Sequence, residues 1–510
     1  MNRKSIFLLA SIFIGLLLHA STIGLTDDEA YYWALAQSPS WGYAYHPPVV
    51  AWCIWLSEQL FGWVSSNPQP GVVRLPAVLL TVLLILGAIL FLKFARHDLK
   101  RFHLIEGAQS PGSLRRGVVA FIGFAGIFGV SWMIVPDLPL VGAWLGLYLL
   151  TWKICFQGYT RNRAVLLGFS VALGAMSKFS ALFPVISSFI CLVIWTSRAE
   201  KKSDLYKSIA AILIGGLIGI IPTLIWNAQN DWGSILYQIR DRHHGSEFNL
   251  SRYFRFWLIT LVGAGPALFT FFFQIIGRLR SKSPQMKTLA RFTFIWIVPA
   301  AIVFCVQPAF SDFKPHWVLI VFIPVLFEFA FHADQRWINK LFKLHVAYGY
   351  TIIVMVFLSF QVPIISWTTA LITGKQLDSR LDITNDVYGW DGIAEYVAQV
   401  GGARLLELPM AGSRYQTAAQ ARFVWPHPEN VSRIPRTKKE FKEWPTLASV
   451  SEQGPDWPML NSEMLFVADT RYHQPPEFRN SSCVLLGRKK TFRFSVESRW
   501  VEVYHCKPIE

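Results

Sequence analysis

The chain has 510 residues, of which 53% are hydrophobic and 16% are charged, and its net charge at pH 7 is +16. A soluble domain usually carries about 25% charged residues, so this composition argues against a soluble globular protein and favours a membrane protein. The basic residues lie between apolar segments, which is typical of cytoplasmic loops and argues against nucleic-acid binding.

The N-terminal segment resembles a signal peptide, because Arg3 and Lys4 precede an apolar run. No A-x-A cleavage site precedes Asp27, and further apolar segments follow. We therefore interpret this segment as a first membrane helix that is retained.

Eleven segments meet or approach the length of about 20 apolar residues that a helix needs to cross a bilayer. Each is expected to be helical, because lipid offers no partners to free backbone groups. They are residues 5–25, 73–93, 117–135, 138–156, 164–177, 179–197, 208–226, 254–277, 292–309, 316–332 and 345–366. The segment 164–177 is short and could instead form one re-entrant unit with its neighbour.

The loops between these segments differ in charge. Basic residues are concentrated on alternate loops, namely 93–116, 153–163, 198–207, 278–291 and 336–343. Because basic loops remain in the cytoplasm, the pattern predicts a cytoplasmic N-terminus and places the loop 26–72 on the outer side.

No apolar span follows Trp367. We expect residues 1–373 to form the transmembrane domain, with 26–72 as its catalytic first outer loop, and 374–510 to form a periplasmic α/β domain. In that domain, hydrophobic periodicity predicts helices near 389–400 and 414–423, strands at 403–408, 464–468, 483–486, 491–496 and 500–505, and mostly loop over 426–458.

The cysteines fall into two groups. Cys53, Cys155, Cys191 and Cys305 lie in or beside apolar segments, where a thiol packs as a small apolar group. Cys483 and Cys506 lie in the polar C-terminal part. A disulfide between these two is compatible with an oxidising compartment, but their spacing leaves a pair and two free thiols equally open.

The first outer loop carries the densest group of chemically active side chains. Three consecutive carboxylates, Asp27, Asp28 and Glu29, open it, and His46 stands near its end before two prolines. Acidic residues also suit the first turn of a helix, so a solvated helix start is the alternative interpretation.

Every later outer loop also carries ionisable residues. These are Asp137, Lys178, Arg240, Asp241, Arg242, His243, His244, Asp312, Lys314 and His316. Taken singly, Asp137 could cap a helix, Lys178 could extend from a helix end to the surface, and the histidines could be surface or packing residues. Ionisable residues at membrane depth are costly and usually functional, so their occurrence on one side favours a shared site.

Several motifs together resemble a known family. The runs DDEAYYW, GYAYHPPVVAW, PDLPL, GAMSKFSALFP, IPTLIWNAQNDW and KPHW are similar to those of the GT-C membrane glycosyltransferases of the protein O-mannosyltransferase-like superfamily. That superfamily includes the aminoarabinose transferase that modifies lipid A. The resemblance covers roughly residues 20–330 and extends weakly to DVYGWDGIAEYV and SRYQTAA.

The resemblance implies a multi-pass α-helical membrane protein of GT-C type. It also implies a sugar donor linked to a polyprenyl phosphate and an acceptor that approaches from outside. The implied catalytic residues are Asp28 as general base, with Glu29 and Asp137 supporting it. The implied phosphate-binding residues are His46, Lys178, Arg240 and Arg242, and the other substrate-binding candidates are Asp27, Tyr43, Tyr45, His243, His244 and His316.

One position departs from the family pattern. Relatives often have an acidic residue before the His-Pro or Lys-Pro pair, and this chain has Tyr45 there. A metal site built from that carboxylate and a loop histidine is therefore not expected, and we predict no required metal or other cofactor.

The expected function is transfer of a sugar to an envelope glycolipid, lipopolysaccharide core or lipid A, at the periplasmic face of a bacterial inner membrane. A protein acceptor is the first alternative. A transporter or flippase would need charges in mid-span and a repeat of two halves. A third alternative is a binding module whose outer domain recognises glycans through its Trp and Tyr residues. Nucleic acid is not an expected partner.

Overall fold

The computed structural model describes residues 3–101, 112–196, 202–239, 247–280, 282, 284–311, 314, 316–319, 321, 324, 328–331, 336–434 and 458–509. Within these ranges the chain is helical up to residue 373, and its strands all lie between residues 410 and 508.

The N-terminal part is built from helices of very different lengths. They are α1 (Arg3–Ser21), α2 (Asp27–Ala36), α3 (Val49–Phe61), α4 (Pro70–Arg101), α5 (Gly112–Ile122), α6 (Ala125–Phe128), α7 (Asp137–Gln157), α8 (Arg161–Ser177), α9 (Leu182–Thr196), α10 (Lys202–Gln229), α11 (Gly233–Ile239), α12 (Leu250–Ala264), α13 (Pro266–Leu279), α14 (Pro284–Val306), α15 (His316–Leu319), α16 (Glu328–Phe331), α17 (Arg336–Ser359) and α18 (Ile364–Thr373).

Five helical stretches in the described residues are long and apolar enough to cross a membrane, namely Pro70–Ala95, Asp137–Gln157, Lys202–Gln229, Lys287–Ala309 and Arg336–Ser359. Shorter apolar helices cover Ile6–Ser21, Val49–Val64, Phe179–Trp195 and Ile364–Thr373. The predicted multi-pass helical class agrees with this architecture, whereas the number of eleven spans stays a prediction.

Two predicted spans are interrupted. The segment 254–277 divides into α12 and α13 at Gly265, which has a φ of 54° and stands before Pro266. Glycine adopts positive φ readily and proline has no N–H to donate, so the helix ends here and a new one begins. In the segment 117–135, α5 ends at Ile122 and the short helix α6 follows. Residues 129–136 are not helical.

The C-terminal part contains the helices α19 (Ile393–Gly401) and α20 (Tyr415–Val424). Its strands are β1 (Met410–Gly412), β2 (Val431–Arg433), β3 (Met464–Asp469), β4 (Ser481–Arg493) and β5 (Val496–Pro508). The sheet order is β2-β1-β3-β5-β4, with β1 parallel to β2 and β3, and β5 antiparallel to β3 and β4. The predicted α/β character is therefore present.

Some predicted boundaries in this part were wrong. Residues 403–407, predicted as a strand, form a 3₁₀ helix, and the strand begins at Met410. The predicted strand 491–496 contains a hairpin turn at Phe494 and Ser495, where β4 ends and β5 begins. Most of the predicted loop 426–458 lies outside the described residues.

Cys483 and Cys506 form a disulfide. They face each other across β4 and β5, and their Cα atoms are 4.0 Å apart. The disulfide therefore joins the ends of the two strands far from the hairpin turn.

The C-terminal part packs on the N-terminal part through α20 and α2. The rings of Trp33 and Phe423 meet edge to face with 5.0 Å between centroids, and the Gln420 amide donates to the Leu25 carbonyl over 2.8 Å. This contact brings one face of the sheet domain to the start of α2, where the three consecutive carboxylates lie.

Candidate active site

The start of α2 directs its three carboxylates in different directions. Thr26 is extended and caps the helix: its hydroxyl accepts from the Glu29 N–H, and the Glu29 carboxylate accepts from the Thr26 N–H over 3.0 Å. This capping box begins the helix at Asp27. Because a helix turns once every 3.6 residues, the side chains of Asp27, Asp28 and Glu29 diverge and cannot share one site.

Glu29 points into the helical core and is fully buried, as is its partner Arg74. The two groups form a bidentate pair, with N–O distances of 2.8 and 2.7 Å. The backbone N–H of Ile134 and both the N–H and hydroxyl of Thr26 also donate to this carboxylate. Glu29 thus has five hydrogen bonds and no exposed surface. It stabilises the fold in this structure, and its predicted supporting role in catalysis stays a prediction.

Arg74 holds three separate segments together. Its guanidinium donates to the carbonyls of Ala20, Ile23 and Gly24 and lies 4.6 Å from the centroid of the Trp132 ring. The pair with Glu29 therefore connects the end of α1, the start of α2 and the non-helical segment 129–136. These contacts hold that segment in its non-helical conformation.

Asp27 points toward the C-terminal domain. Arg499 of β5 forms a bidentate pair with it at 3.1 and 3.0 Å, and the Gln420 amide donates to it at 3.1 Å. Asp27 is only 3% exposed. The structure thus places this carboxylate in the contact between the two domains, and its predicted role in substrate binding stays a prediction.

Asp28 is the only one of the three that keeps an exposed side chain. The Tyr415 hydroxyl, at the start of α20, lies 3.4 Å from its Oδ1. Surrounding protein atoms desolvate the carboxyl and raise its pKa, as does the charge of Asp27, while Lys314, Tyr415 and Arg471 act in the opposite direction. A raised pKa on an accessible carboxylate suits a group that takes up a proton.

Asp137 and Lys178 form a second group. Asp137 begins α7 and Lys178 follows the end of α8, and the Lys178 ammonium lies 2.7 Å from the Asp137 carboxylate. His316 Nε2 lies 3.9 Å from the other carboxylate oxygen. The ammonium also lies 4.7 Å from the centroid of the Trp317 ring, so the predicted residues Asp137, Lys178 and His316 are brought together.

Tyr32 lies between the two groups. Its hydroxyl is 3.2 Å from His46 Nε2, and burial, followed by the charge of Asp28 and a smaller effect of Asp137, raises its pKa. The charges of Asp28 and Asp137 therefore both act on the pKa of Tyr32. The structure brings Asp137, Lys178 and His316 into contact. It links this group through Tyr32 to His46 and Asp28.

Aromatic side chains form a wall beside Asp28. The Tyr45 ring lies 4.8 Å from that of Tyr237 and 6.1 Å from that of Tyr415, measured between centroids. Tyr31 contacts Tyr415 at 4.7 Å. Tyr45 is half-buried and remains in reach of the site, but Tyr43 is buried within the loop and its hydroxyl donates to the Leu35 carbonyl. Tyr43 therefore contacts its own loop, and its predicted role in substrate binding stays a prediction.

The remaining candidates lie outside the described residues. They are Arg240, Arg242, His243 and His244. Among the residues that the structure does describe, no cluster of three or more His, Cys, Asp or Glu side chains could hold a metal ion.

The sequence did not single out Tyr415, Tyr32 or Lys314 for the site. Tyr415 is separated from Asp28 by 387 positions, and only the SRYQTAA motif hinted at it. Tyr32 looked like one of many aromatics in its loop. Lys314 was noted among the outer charges, but its effect on the pKa of Asp28 depends on the fold.

Comparison with known proteins supports the fold assignment. No protein-family model matches the sequence. The lipid A galacturonosyltransferase RgtD of Rhizobium johnstonii is 22% identical over 304 residues, which are 58% of this chain and 58% of that protein. The match thus spans a little over half the length of this curated relative.

Two solved structures match over nearly the whole chain. The crystal structure of ArnT from Cupriavidus metallidurans bound to undecaprenyl phosphate has a TM-score of 0.61 at 12% identity and covers 99% of this chain and 98% of that one. The apo structure of the same protein gives 0.57 at 11% identity, with 98% of each chain covered. The resemblance to the GT-C membrane glycosyltransferases and the predicted fold class are confirmed.

Proposed function

We propose that this chain is a membrane glycosyltransferase that moves a sugar from a polyprenyl-phosphate donor to an envelope glycolipid of the lipid A or core type. The observation that carries the proposal is the accessible Asp28 carboxylate, held beside Tyr415 and across Tyr32 from the Lys178–Asp137 pair. The likeness in fold to ArnT and the partial match to RgtD support the same reaction class.

In the proposed reaction, an acceptor hydroxyl oxygen attacks the anomeric carbon of the donor sugar. The bond between that carbon and the phosphate oxygen breaks, so the polyprenyl phosphate leaves with its electron pair. Asp28 takes the proton of the acceptor hydroxyl. A single displacement of this kind inverts the configuration at the anomeric carbon and needs no covalent intermediate.

The leaving phosphate requires positive charge or hydrogen-bond donors. Lys178, Lys314, His46 and His316 are candidates among the described residues, because each lies near one of the two carboxylates or near Tyr32. The Lys178 ammonium donates a hydrogen bond to the Asp137 carboxylate over 2.7 Å. Asp137 therefore orients the ammonium and does not compete with Asp28 for the acceptor proton. The proposal includes no metal ion, since Tyr45 occupies the position where relatives often have an acidic residue.

The membrane position of the site follows from the same proposal. Loop charges place the start of α2 on the outer side, which is the periplasmic face in a bacterial inner membrane. A donor with a long polyprenyl tail would then enter from the lipid, and the glycolipid acceptor from the outer leaflet.

Transfer from a panel of undecaprenyl-phosphate-linked sugars to purified lipid A, measured with the full chain in proteoliposomes, tests this proposal. We expect Asp28→Asn to lower kcat/KM by a factor of about 10²–10⁴, the usual contribution of a general base. The matched control is Asp378→Asn, which removes an exposed carboxylate paired with Arg380 outside the site. Full activity of Asp28→Asn, or equal losses in both variants, would remove Asp28 as the base.

A further inference from the structure

The turn between β4 and β5 carries an exposed apolar patch. Phe492 is 57% exposed and Phe494 is 66% exposed. The Phe494 ring lies 5.9 Å from that of Trp367 on α18, and Leu371, one helical turn further along α18, is 87% exposed. We call these four residues the tip patch. Single exposed apolar residues are ordinary, but contiguous ones mark an interaction surface.

The backbone of this turn is unfavourable for the residues it contains. Arg493 pairs with Val496 across the hairpin, so Phe494 and Ser495 form a two-residue turn, and both have positive φ, 44° and 71°. Such turns strongly prefer Asn and Gly at these positions, and a bulky side chain at positive φ is an outlier. The sequence thus places a phenylalanine at an exposed turn where folding alone favours another residue.

Arg493, between Phe492 and Phe494, fixes the position of the turn relative to the end of α17. Arg493 is buried and donates to the Thr384 hydroxyl and the Asn385 amide oxygen at 2.9 and 3.0 Å. It also donates to the carbonyl of Ser359, the last residue of α17. Because α17 is long and apolar enough to cross a membrane, the tip patch is held level with the end of a spanning helix.

The length of helix α18 is consistent with a position at the membrane surface, beside the tip patch. It has ten residues, which at 1.5 Å per residue is about half of the bilayer core of about 30 Å. It is therefore too short to span and too apolar to lie free in water. Residues on α17 just before it, such as Val354 and Leu358, are also exposed, so the tip patch continues the surface that α17 presents to lipid.

We propose that the tip patch inserts into the interfacial layer of the membrane and attaches the C-terminal domain to the lipid surface. Trp is enriched at this level of a bilayer, and Phe and Leu form the buried face of helices that lie in the interface. The occupant of the patch is phospholipid, since the patch is continuous with the lipid-facing surface of α17. In this position the hairpin holds β5, and with it Arg499, at a constant height above α2.

Photo-crosslinking in proteoliposomes of defined phospholipid tests the proposal with the full chain. A phenylalanine carrying a diazirine replaces Phe494 in one variant and Val484 in the other. Val484 is the matched control: it is 61% exposed on β4, the strand that leads into the turn. It lies ten residues before Phe494 and hence about 33 Å from the tip at 3.3 Å per residue. Mass spectrometry then identifies what each position has captured.

We expect phospholipid adducts at position 494 and a yield at least about tenfold lower at position 484, because only the first would lie within the lipid layer. Adducts between two protein chains at position 494 would instead identify a dimer interface and overturn the proposal. Equal lipid yields at the two positions, or none at 494, would overturn it as well. Both side chains are exposed, so melting temperatures should match that of the wild type; if the 494 variant fails this check, Phe492 takes its place.

Discussion

Asp28 differs from its two neighbours in what surrounds it rather than in its chemistry. Asp27 is paired with Arg499, Glu29 is paired with Arg74, and Asp28 has a tyrosine hydroxyl at 3.4 Å and exposed surface. A carboxylate whose oxygens are occupied by a buried ion pair is unavailable to an acceptor hydroxyl. The position along the first turn of α2 therefore decides which carboxylate can act as a base.

The Tyr415 hydroxyl should set the pH range in which Asp28 can act as a base. Its hydrogen bond stabilises the charged carboxylate and lowers the pKa of Asp28, against the raising effects of burial and Asp27. A base works only when deprotonated, so activity falls as the pH drops through its pKa. Tyr415→Phe removes the hydrogen bond, the pKa rises, and the acidic limb of the pH profile of kcat/KM should move to higher pH.

Lys314→Gln should move the acidic limb in the same direction, because the charge of Lys314 also lowers the pKa of Asp28. The two variants thus test the electrostatics from opposite domains. An acidic limb that stays in place in both, with only a uniform loss of rate, would mean that a group other than Asp28 controls this limb.

Asp137 and Asp28 compete for the role of base, and the structure favours Asp28. The ammonium of Lys178 contacts Asp137 at 2.7 Å, whereas the described contact of Asp28 is with a neutral hydroxyl. We expect Asp137→Asn to lower kcat/KM about tenfold less than Asp28→Asn, and to raise KM for the donor because Lys178 loses its orienting partner. Steady-state kinetics of both variants against donor concentration measure this, and the reverse ranking would assign the proton to Asp137.

At the scale of elements, the start of α2 depends on a buried ion pair far from any substrate. Arg74→Met would leave the Glu29 carboxylate buried without its partner, which typically costs about 3–5 kcal/mol. The apparent melting temperature in detergent should fall clearly. The double variant Arg74→Met with Glu29→Leu should recover part of the loss, since it leaves no buried charge.

The exposed pair of Asp378 and Arg380 provides the comparison for this stability test. Exposed ion pairs contribute little, so Arg380→Met should leave the melting temperature unchanged. A similar fall in both variants would show that the Glu29–Arg74 pair has no special structural role.

Elements were predictable from the sequence where one local pattern dominated. The apolar runs predicted α4, α7, α10, α14 and α17. A helix start at the three carboxylates was only the alternative interpretation, and α2 does begin there. The break at Gly265 was visible in the Gly-Pro pair, but the apolar content around it outweighed that signal. Residues 403–408 were predicted as a strand from their hydrophobic pattern, yet residues 403–407 form a 3₁₀ helix before the short strand at Met410.

The site was only half predictable, for a physical reason. Loop charges predicted one membrane side for Asp28, His46, Asp137, Lys178 and His316, and the structure places Asp137 in contact with Lys178 and His316, and His46 in contact with Tyr32. Loop charges could not show that Asp27 and Glu29 are held in ion pairs. The partner of Asp27 is Arg499, 472 positions away, and the partner of Glu29 is Arg74, 45 positions away. Side-chain direction within a first helical turn depends on tertiary contacts of this kind.

At the scale of the whole molecule, the C-terminal domain contributes to the site. It supplies Tyr415 to Asp28, and it is held on α2 by Arg499, Gln420 and their contacts with Asp27. Arg499→Met should therefore loosen α20 from α2 and lower kcat/KM. Hydrogen exchange of residues 415–424 should become faster than in the wild type.

Lys490→Met is the matched control for that variant, because Lys490 forms an exposed pair with Glu497 on the same hairpin. It should change neither the exchange of α20 nor the rate of transfer. Unchanged exchange in Arg499→Met would show that the domain contact does not depend on this pair.

The central claim is that the chain adds a sugar to a glycolipid of the cell envelope. Mass spectrometry of lipid A and core oligosaccharide, from wild-type cells and cells lacking the gene, tests it most directly. We predict that one sugar-sized mass difference disappears on deletion, returns with the wild-type gene and does not return with Asp28→Asn. Identical glycolipid spectra in all strains, or loss of a glycoprotein modification instead, would contradict the account.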